Sequence, residues 1–168
     1  QGDVSSTPIE INNYISGIAN NGKICKPRFN LEGSANCRTV AVAKNNLNLI
    51  KLGMEAACTE GGTAFTFFDW NSGSAKLTTT KRELVACKTG TAEVGTDGVP
   101  HAWFTFFLPS DLSNVASAKL EASAKEGTLS KRIVATILVE RGGEGSSIAG
   151  PIARKIADYY FASTKTEN

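Results

Sequence analysis

The sequence predicts an α+β domain in which an antiparallel sheet is covered by helices. Two stretches with helical periodicity come first, three apolar strand candidates follow, and another helical stretch closes the pattern. The 168 residues suit one domain or a piece of one, and a hydrophobic content of 41% is enough to build a core. Neither an internal repeat nor a linker divides the chain.

The first helix is predicted to begin at Thr7. This residue is a good N-cap, Pro8 suits the first helical position, and Glu10 completes a capping box. Asn20-Asn21-Gly22 is expected to stop the helix. The apolar residues that share one helical face are Ile11, Tyr14, Ile15, Ile18 and Ala19.

The second helix is expected after a region of irregular structure or short strands at 23–44. Asn45 or Asn46 can cap it, and Gly61-Gly62 ends it. Residues 61–82 are rich in glycine, threonine and serine, so we expect a loop there. The apolar stripe of this helix consists of Leu47, Ile50, Met54, Ala57 and Cys58.

Three strands and a closing helix are predicted in the second half. The strand candidates are Leu84–Thr91, Ala102–Leu108 and Ile133–Glu140, and the middle one is apolar on both faces, which favours a central position. Residues 113–126 could form a short surface helix. The closing helix follows a glycine-rich turn at 142–145, with Ser146 or Ser147 as its cap. Its apolar face carries Ile148, Ile152, Ile156, Tyr159 and Tyr160.

The charge and the cysteine content exclude several classes of function. With 18 basic and 16 acidic residues, the net charge of +2 does not indicate a nucleic-acid or anionic-membrane partner. No apolar run approaches the ~18 residues of a spanning helix. The four cysteines include no C-x-x-C pair and His101 is the only histidine, so neither a metal nor a cofactor is predicted. An even cysteine count permits one or two disulfides.

The chemically informative segment is Lys88-Thr89-Gly90-Thr91, at the end of the first predicted strand. A lysine offers a point charge for a carboxylate, threonines offer hydroxyl donors, and glycine lets a ligand lie against the strand edge. The simpler alternative is a strand end with a turn glycine. For His101, near the start of the next strand, both a general base and a structural role are open.

One pattern resembles the third motif of the penicillin-binding proteins, the serine D,D-transpeptidases of cell-wall synthesis. It consists of Lys88–Ala92 followed by His101–Phe104. The resemblance spans nearly the whole chain, and the most similar members are the monofunctional, class B type enzymes of cell elongation (cell shape) or cell division. Other stretches that match in order and spacing are Gln1–Pro8, Asn21–Pro27, Gly53–Ala64, Val139–Gly143 and Ala149–Ile156.

Two of the three motifs of that family are missing. No lysine has a serine three residues before it, so Ser-x-x-Lys, which carries the nucleophile, is absent. The only Ser-x-Asn, at Ser34–Asn36, follows the Gln1–Val4 segment that it precedes in the family, which indicates a chance match. The resemblance therefore implies that residues 1–168 are the C-terminal portion of a transpeptidase domain, without the N-terminal portion. The isolated chain is expected to be inactive.

The resemblance implies acyl transfer through a serine ester, with a peptidoglycan stem peptide ending in D-Ala-D-Ala, or a β-lactam that mimics it, as ligand. Lys88 would supply positive charge near the ligand carboxylate, the Thr89 and Thr91 hydroxyls would bind that carboxylate, and the Thr91 N–H would be one oxyanion donor. Gly90 would keep the strand edge open. The alternatives are a non-catalytic binding module of the same fold and a β-lactam sensor or β-lactamase relative.

The resemblance also implies an extracytoplasmic location, with an N-terminal membrane anchor that is absent here. The implied protein partners are the remainder of the transpeptidase domain and a membrane glycosyltransferase, with no nucleic acid. Because disulfides persist in such a compartment, Cys25 and Cys37 are the candidate pair. Cys58 and Cys87 are expected to be reduced and buried, with a bridge between them as the second choice.

Overall fold

The computed structural model describes residues 4–30, 33–72, 84–95, 98–110 and 132–163. The surface helix expected at 113–126 lies outside this part of the chain. In chain order the elements are α1 (Pro8–Ala19), β1 (Lys23–Cys25), β2 (Cys37–Thr39), α2 (Lys44–Ala57), a 3₁₀ turn (Phe65–Phe67), α3 (Phe68–Ser72), β3 (Ala86–Val94), β4 (Gly98–Leu108), β5 (Ile133–Val139), a π-helical turn (Gly145–Ala149) and α4 (Gly150–Ser163).

Helix α1 begins as its sequence predicts. The capping box is present, with the Thr7 backbone N–H donating to Glu10 Oε2 over 2.8 Å. This bond and a second one from the Thr7 hydroxyl lower the pKa of Glu10. The helix ends at Ala19, and Asn21 then adopts a positive φ of 55°. Tyr14 was wrongly placed on the buried face, because its side chain is 59% exposed.

Helix α2 corrects the sequence interpretation at two points. It begins at Lys44 with Ala43 at the N-cap, so both Asn45 and Asn46 lie in the first turn and neither is the cap. Its buried face includes Lys51 in place of the exposed Ile50. The buried ammonium is satisfied, since Nζ donates to Asn21 Oδ1 over 2.7 Å at the end of α1. A hydrophobic pattern cannot reveal this lysine.

The region expected to be loop at 61–82 contains helical turns in its described part. The 3₁₀ turn and α3 place the side chains of Phe67 and Trp70 in the core. Phe67 stacks on Phe104 of the central strand, with ring centroids 5.6 Å apart. The loop was predicted from the average composition of residues 61–82, which is rich in glycine and threonine. Such an average does not show that a few aromatic residues within the segment form helical turns and pack into the core. Residues 73–82 lie outside the described residues.

The main sheet has the order β3-β4-β5 and is antiparallel throughout, so the central position predicted for β4 is confirmed. Helix α1 packs on one face together with Met54 of α2. The 3₁₀ turn, α3 and α4 cover the other face, where Phe104, Phe106 and Leu108 lie in the larger core cluster. The α+β class with a helix-covered antiparallel sheet is therefore confirmed.

The closing helix turns a different face inward from the one predicted. Three small side chains, Ala149, Ala153 and Ala157, are fully buried against the sheet. The predicted face is largely outside, with Tyr159 77% exposed and the isoleucines 148, 152 and 156 also exposed. Alanine lets the helix axis approach the sheet closely, so the packing favours small residues over bulky ones. The predicted apolar face is therefore wrong.

A second, two-stranded sheet pairs β1 with β2 and places Cys25 directly opposite Cys37. The two residues are joined by a disulfide across this pair. Among the described residues no helix is both long and apolar enough to cross a membrane.

Candidate functional site

The segment Lys88–Thr91 lies in the middle of β3, at the edge of the described sheet. Alternation along the strand places Lys88 and Gly90 on the face of α1, and Thr89 and Thr91 on the face of α4. Lys88 is exposed, and its Nζ donates to the Thr89 carbonyl over 2.6 Å. The strand thus presents one ammonium and two hydroxyl groups within four consecutive residues.

Gly90 is surrounded by close backbone contacts. A Cβ added there would lie 3.1 Å from Trp103 Cβ on the paired strand. A Cβ on Gly145, in the turn before α4, would overlap the carbonyl oxygens of Gly90 and Trp103. The absence of a side chain at Gly145 therefore lets the turn before α4 pack directly over the backbone of β3 and β4.

Thr91 is held by that same turn. The Gly145 N–H donates to Thr91 Oγ1 over 3.4 Å. Because this bond uses the oxygen as an acceptor, the hydroxyl proton of Thr91 stays available for an acceptor outside the protein.

Thr89 has a partner that the sequence did not indicate. Its Oγ1 lies 3.0 Å from Oγ1 of Thr63, in the glycine-rich turn after α2. The bond joins residues 26 positions apart, and either oxygen can be the donor. Residue spacing could not have found this pair, since it depends on how the turn lies beside β3.

Two further connections tie the α2 end to β3. Cys58, the C-cap of α2, is bonded to Cys87, so the expectation that both are reduced thiols is wrong. Both were expected to be buried, and both are fully buried. Asn71 of α3 donates to the carbonyls of Glu55 and Val85 and accepts from the Val85 N–H over 3.0 Å. The start of β3 is therefore fixed to helix α2 both covalently and through an amide side chain.

A family model described as the penicillin binding protein transpeptidase domain matches residues 1–158. The chain belongs to this family. The match confirms the resemblance that was based on the motif at Lys88–Thr91, and it extends over nearly the whole chain.

Curated relatives of this transpeptidase-family chain carry matching names. It is 28% identical to the peptidoglycan D,D-transpeptidase MrdA of Haemophilus influenzae, over 96% of this chain and 24% of the relative. It is 29% identical to the peptidoglycan D,D-transpeptidase PbpA of Mycolicibacterium smegmatis, over 92% of this chain and 29% of the relative. The chain thus spans roughly a quarter of the length of the curated relatives it matches.

Solved structures share the fold. The complex between Penicillin-Binding Protein (PBP2) and MreC from Helicobacter pylori matches with a TM-score of 0.64 at 28% identity, over 96% of this chain and 26% of that one. A structure of a peptidoglycan synthase complex, which concerns the coordination of polymerization and crosslinking, matches with a TM-score of 0.65 at 24% identity. That match covers 94% of this chain and 24% of the other, and it shows the fold alone.

The His101 side chain forms a hydrogen bond that links two strands of the sheet. Its Nδ1 accepts the backbone N–H of Arg141 over 2.9 Å, which links the start of β4 to the end of β5. In the described residues, no group of three or more His, Cys, Asp or Glu side chains could hold a metal ion.

Glu144 caps the turn before α4, so neither Ser146 nor Ser147 is the cap. The hydroxyl of Ser146, the hydroxyl of Ser147 and both backbone N–H groups donate to its carboxylate. Led by the Ser146 hydroxyl, these bonds lower the pKa of Glu144 to about 2. The prediction of a serine cap is therefore wrong, because the two serines donate to the carboxylate that caps the turn.

Arg154 links α4 to α3. Its Nη2 donates to Asp69 Oδ2 over 3.0 Å, its Nη1 donates to the Thr66 carbonyl over 2.8 Å, and the guanidinium lies 5.2 Å from the Trp70 ring centroid. The bond from Arg154 is the main cause that lowers the pKa of Asp69. This contact orients the helices that close the core behind Thr89 and Thr91.

Proposed function

We propose that this chain supplies the substrate-binding strand of a peptidoglycan D,D-transpeptidase. The observation that carries the proposal is the placement of Lys88, Thr89, Gly90 and Thr91 on the edge strand of the described sheet, which brings one ammonium and two hydroxyl groups together. The membership of the transpeptidase family supports it. We propose further that the chain is the C-terminal portion of the transpeptidase domain.

The proposed ligand is a stem peptide that ends in D-Ala-D-Ala, or a β-lactam that mimics it. The Lys88 ammonium attracts the terminal carboxylate, and the Thr89 and Thr91 hydroxyls donate hydrogen bonds to it. The Thr91 backbone N–H stabilises the oxyanion that forms when the penultimate carbonyl is attacked, a contribution typically of ~3–4 kcal/mol. The attacking serine belongs to a Ser-x-x-Lys segment outside these 168 residues.

We also propose an extracytoplasmic location for the complete protein. Two disulfides among the described cysteines suit an oxidising compartment. The proposed partners are the remainder of the transpeptidase domain and a membrane glycosyltransferase. A multiprotein setting is supported by the Helicobacter pylori relative, whose structure was solved in a complex with MreC.

Labelling with a fluorescent penicillin tests the proposal on the full-length protein that contains this chain. We expect stoichiometric acylation, and we expect Lys88→Ala to slow it at least about a hundredfold through loss of transition-state stabilisation. Lys155→Ala, an exposed lysine on α4, is the matched control and should react at the parental rate. Both variants should keep the parental melting temperature.

The contrary outcomes are distinct. Acylation of Lys88→Ala at the parental rate would show that the site is misplaced. A stable stoichiometric adduct on the isolated 168-residue chain, detected by mass spectrometry, would contradict the assignment of the nucleophile to another segment. A full-length protein that binds no penicillin covalently would favour a non-catalytic binding module of the same fold.

A further inference from the structure

The segment from the C-cap of α2 to the end of α3, residues 58–72, is connected to β3 and to the residue before it at three positions. Val85 is bonded to Asn71, Cys87 is bonded covalently to Cys58, and Thr89 is bonded to Thr63. Val85 immediately precedes β3, and these three positions are alternate residues, so they point to the same side of the strand. Each connection is therefore one step further along the strand toward the proposed ligand.

The turn that follows α2, residues 59–64, has a closely defined backbone. The Gly62 N–H donates to the Thr59 carbonyl and the Ala64 N–H donates to the Ala57 carbonyl, both over 2.8 Å. A Cβ on Gly62 would overlap the carbonyl oxygens of α2, so a side chain is excluded at the residue before Thr63. The backbone at Thr63 is thus held by the hydrogen bonds of the turn and by the nearby disulfide at Cys58.

The paired hydroxyls leave a proton for an outside acceptor. If Thr63 donates to Thr89, the Thr89 proton is available, and if Thr89 donates to Thr63, the Thr63 proton is available. In either case one oxygen is polarised by the other, which strengthens the donor that remains. Thr63 is exposed and its bond with Thr89 lies at the surface, so a ligand can reach the pair.

We propose that Thr63 donates to Thr89 Oγ1 and is thereby a positioning residue that directs the Thr89 hydroxyl proton toward the carboxylate of the ligand. The inference rests on the proposed function, because it assumes that an anionic group lies beside Thr89. Without Thr63, the Thr89 hydroxyl rotates among its staggered positions and donates in the productive direction for only part of the time. Thr63 thereby determines how strongly the site prefers a ligand with a free carboxylate.

The test measures the second-order acylation rate constant of the full-length protein with a penicillin and with its methyl ester. Thr63→Val, which keeps the shape and removes the hydroxyl, should lower the rate constant for the free acid about two- to tenfold, the range for one neutral hydrogen bond. Thr63→Ser should restore it. For the ester, which lacks the anionic oxygen, Thr63→Val should change the rate constant less than about twofold.

A matched control lies in the same turn. The Thr59 hydroxyl donates to the Glu55 carbonyl of α2 over 2.9 Å and makes no bond to β3. Thr59→Val carries the same chemical change and should leave both rate constants at the parental value. If Thr63→Val lowered the melting temperature, the comparison of Thr63→Ser with Thr63→Ala would carry the test.

A double-mutant cycle separates positioning from a general structural role. In a Thr89→Val background, Thr63→Val should have no further effect on the rate constant, because Thr63 acts only through Thr89. Additive losses, equal losses for acid and ester, or a Thr63→Val protein that reacts at the parental rate would each overturn the inference while the proposed function stands. A parent protein that no penicillin acylates would refute the proposed function and this inference with it.

Discussion

Removal of the buried disulfide between Cys58 and Cys87 should destabilise β3 far more than removal of the Cys25–Cys37 bridge destabilises β1 and β2. The sequence separations of 29 and 12 correspond to about 3.6 and about 2.8 kcal/mol of loop-closure entropy. Cys58 and Cys87 are both 0% exposed, so alanine at both positions also removes two packed sulfur atoms, at about 1 kcal/mol each. The expected totals are about 5.5 kcal/mol for Cys58→Ala/Cys87→Ala and about 3 kcal/mol for Cys25→Ala/Cys37→Ala.

Amide hydrogen exchange, read by mass spectrometry on the full-length protein, is the appropriate assay because it reports the opening of each segment separately. Every ~1.4 kcal/mol lost from an opening free energy accelerates exchange tenfold. We expect the β3 amides to exchange at least about a hundredfold faster in Cys58→Ala/Cys87→Ala, and at the parental rate in the Cys25→Ala/Cys37→Ala control. Equal acceleration of β3 in both variants would refute the reasoning, since it would mean that the buried bridge does not hold that strand.

Two further predictions concern the surroundings of α4. Because its folded pKa of about 2 lies below the ordinary value of 4.5, Glu144 stabilises the fold above pH ~4.5, and this contribution is lost as the pH falls toward about 2. Glu144→Gln should therefore narrow the difference in melting temperature between pH 6 and pH 3. An unchanged difference would contradict this role of the Glu144 carboxylate. Arg154→Lys should accelerate exchange in α4 by an amount equivalent to about 2 kcal/mol, because lysine cannot contact Asp69 and the Thr66 carbonyl together. Lys155→Ala is the control on the same helix, and equal exchange in the two variants would count against the Arg154 contact.

Local signals determined much of the fold. The capping box at Thr7 and Glu10 requires only neighbouring residues, so α1 begins where its sequence predicts. The strands were found from apolar runs, and the central place of β4 followed from apolar residues on both of its faces. The Lys88–Thr91 segment was likewise found from residue types and their position on a strand.

Long-range packing decided what local patterns could not. Helix α4 buries its alanines because the distance to the sheet is set by close packing, whereas a hydrophobic pattern favours the isoleucines. Lys51 is buried because the end of α1 supplies oxygen acceptors, which no pattern within α2 can show. In α2 and α4, the face that is buried depends on the element packed against the helix, which is the end of α1 in one case and the sheet in the other.

Local sequence and long-range packing also contributed differently to the candidate site. The sequence by itself determined the chemistry of β3, since Lys88, Thr89 and Thr91 carry their functional groups in any fold that makes this strand an edge. Only the tertiary structure brought Thr63 to Thr89 and Cys58 to Cys87, across 26 and 29 positions. The free energy of closing a loop changes only slowly with its length, so sequence separation gives little indication of which distant residues will meet. The path of the turn in three dimensions decides these contacts.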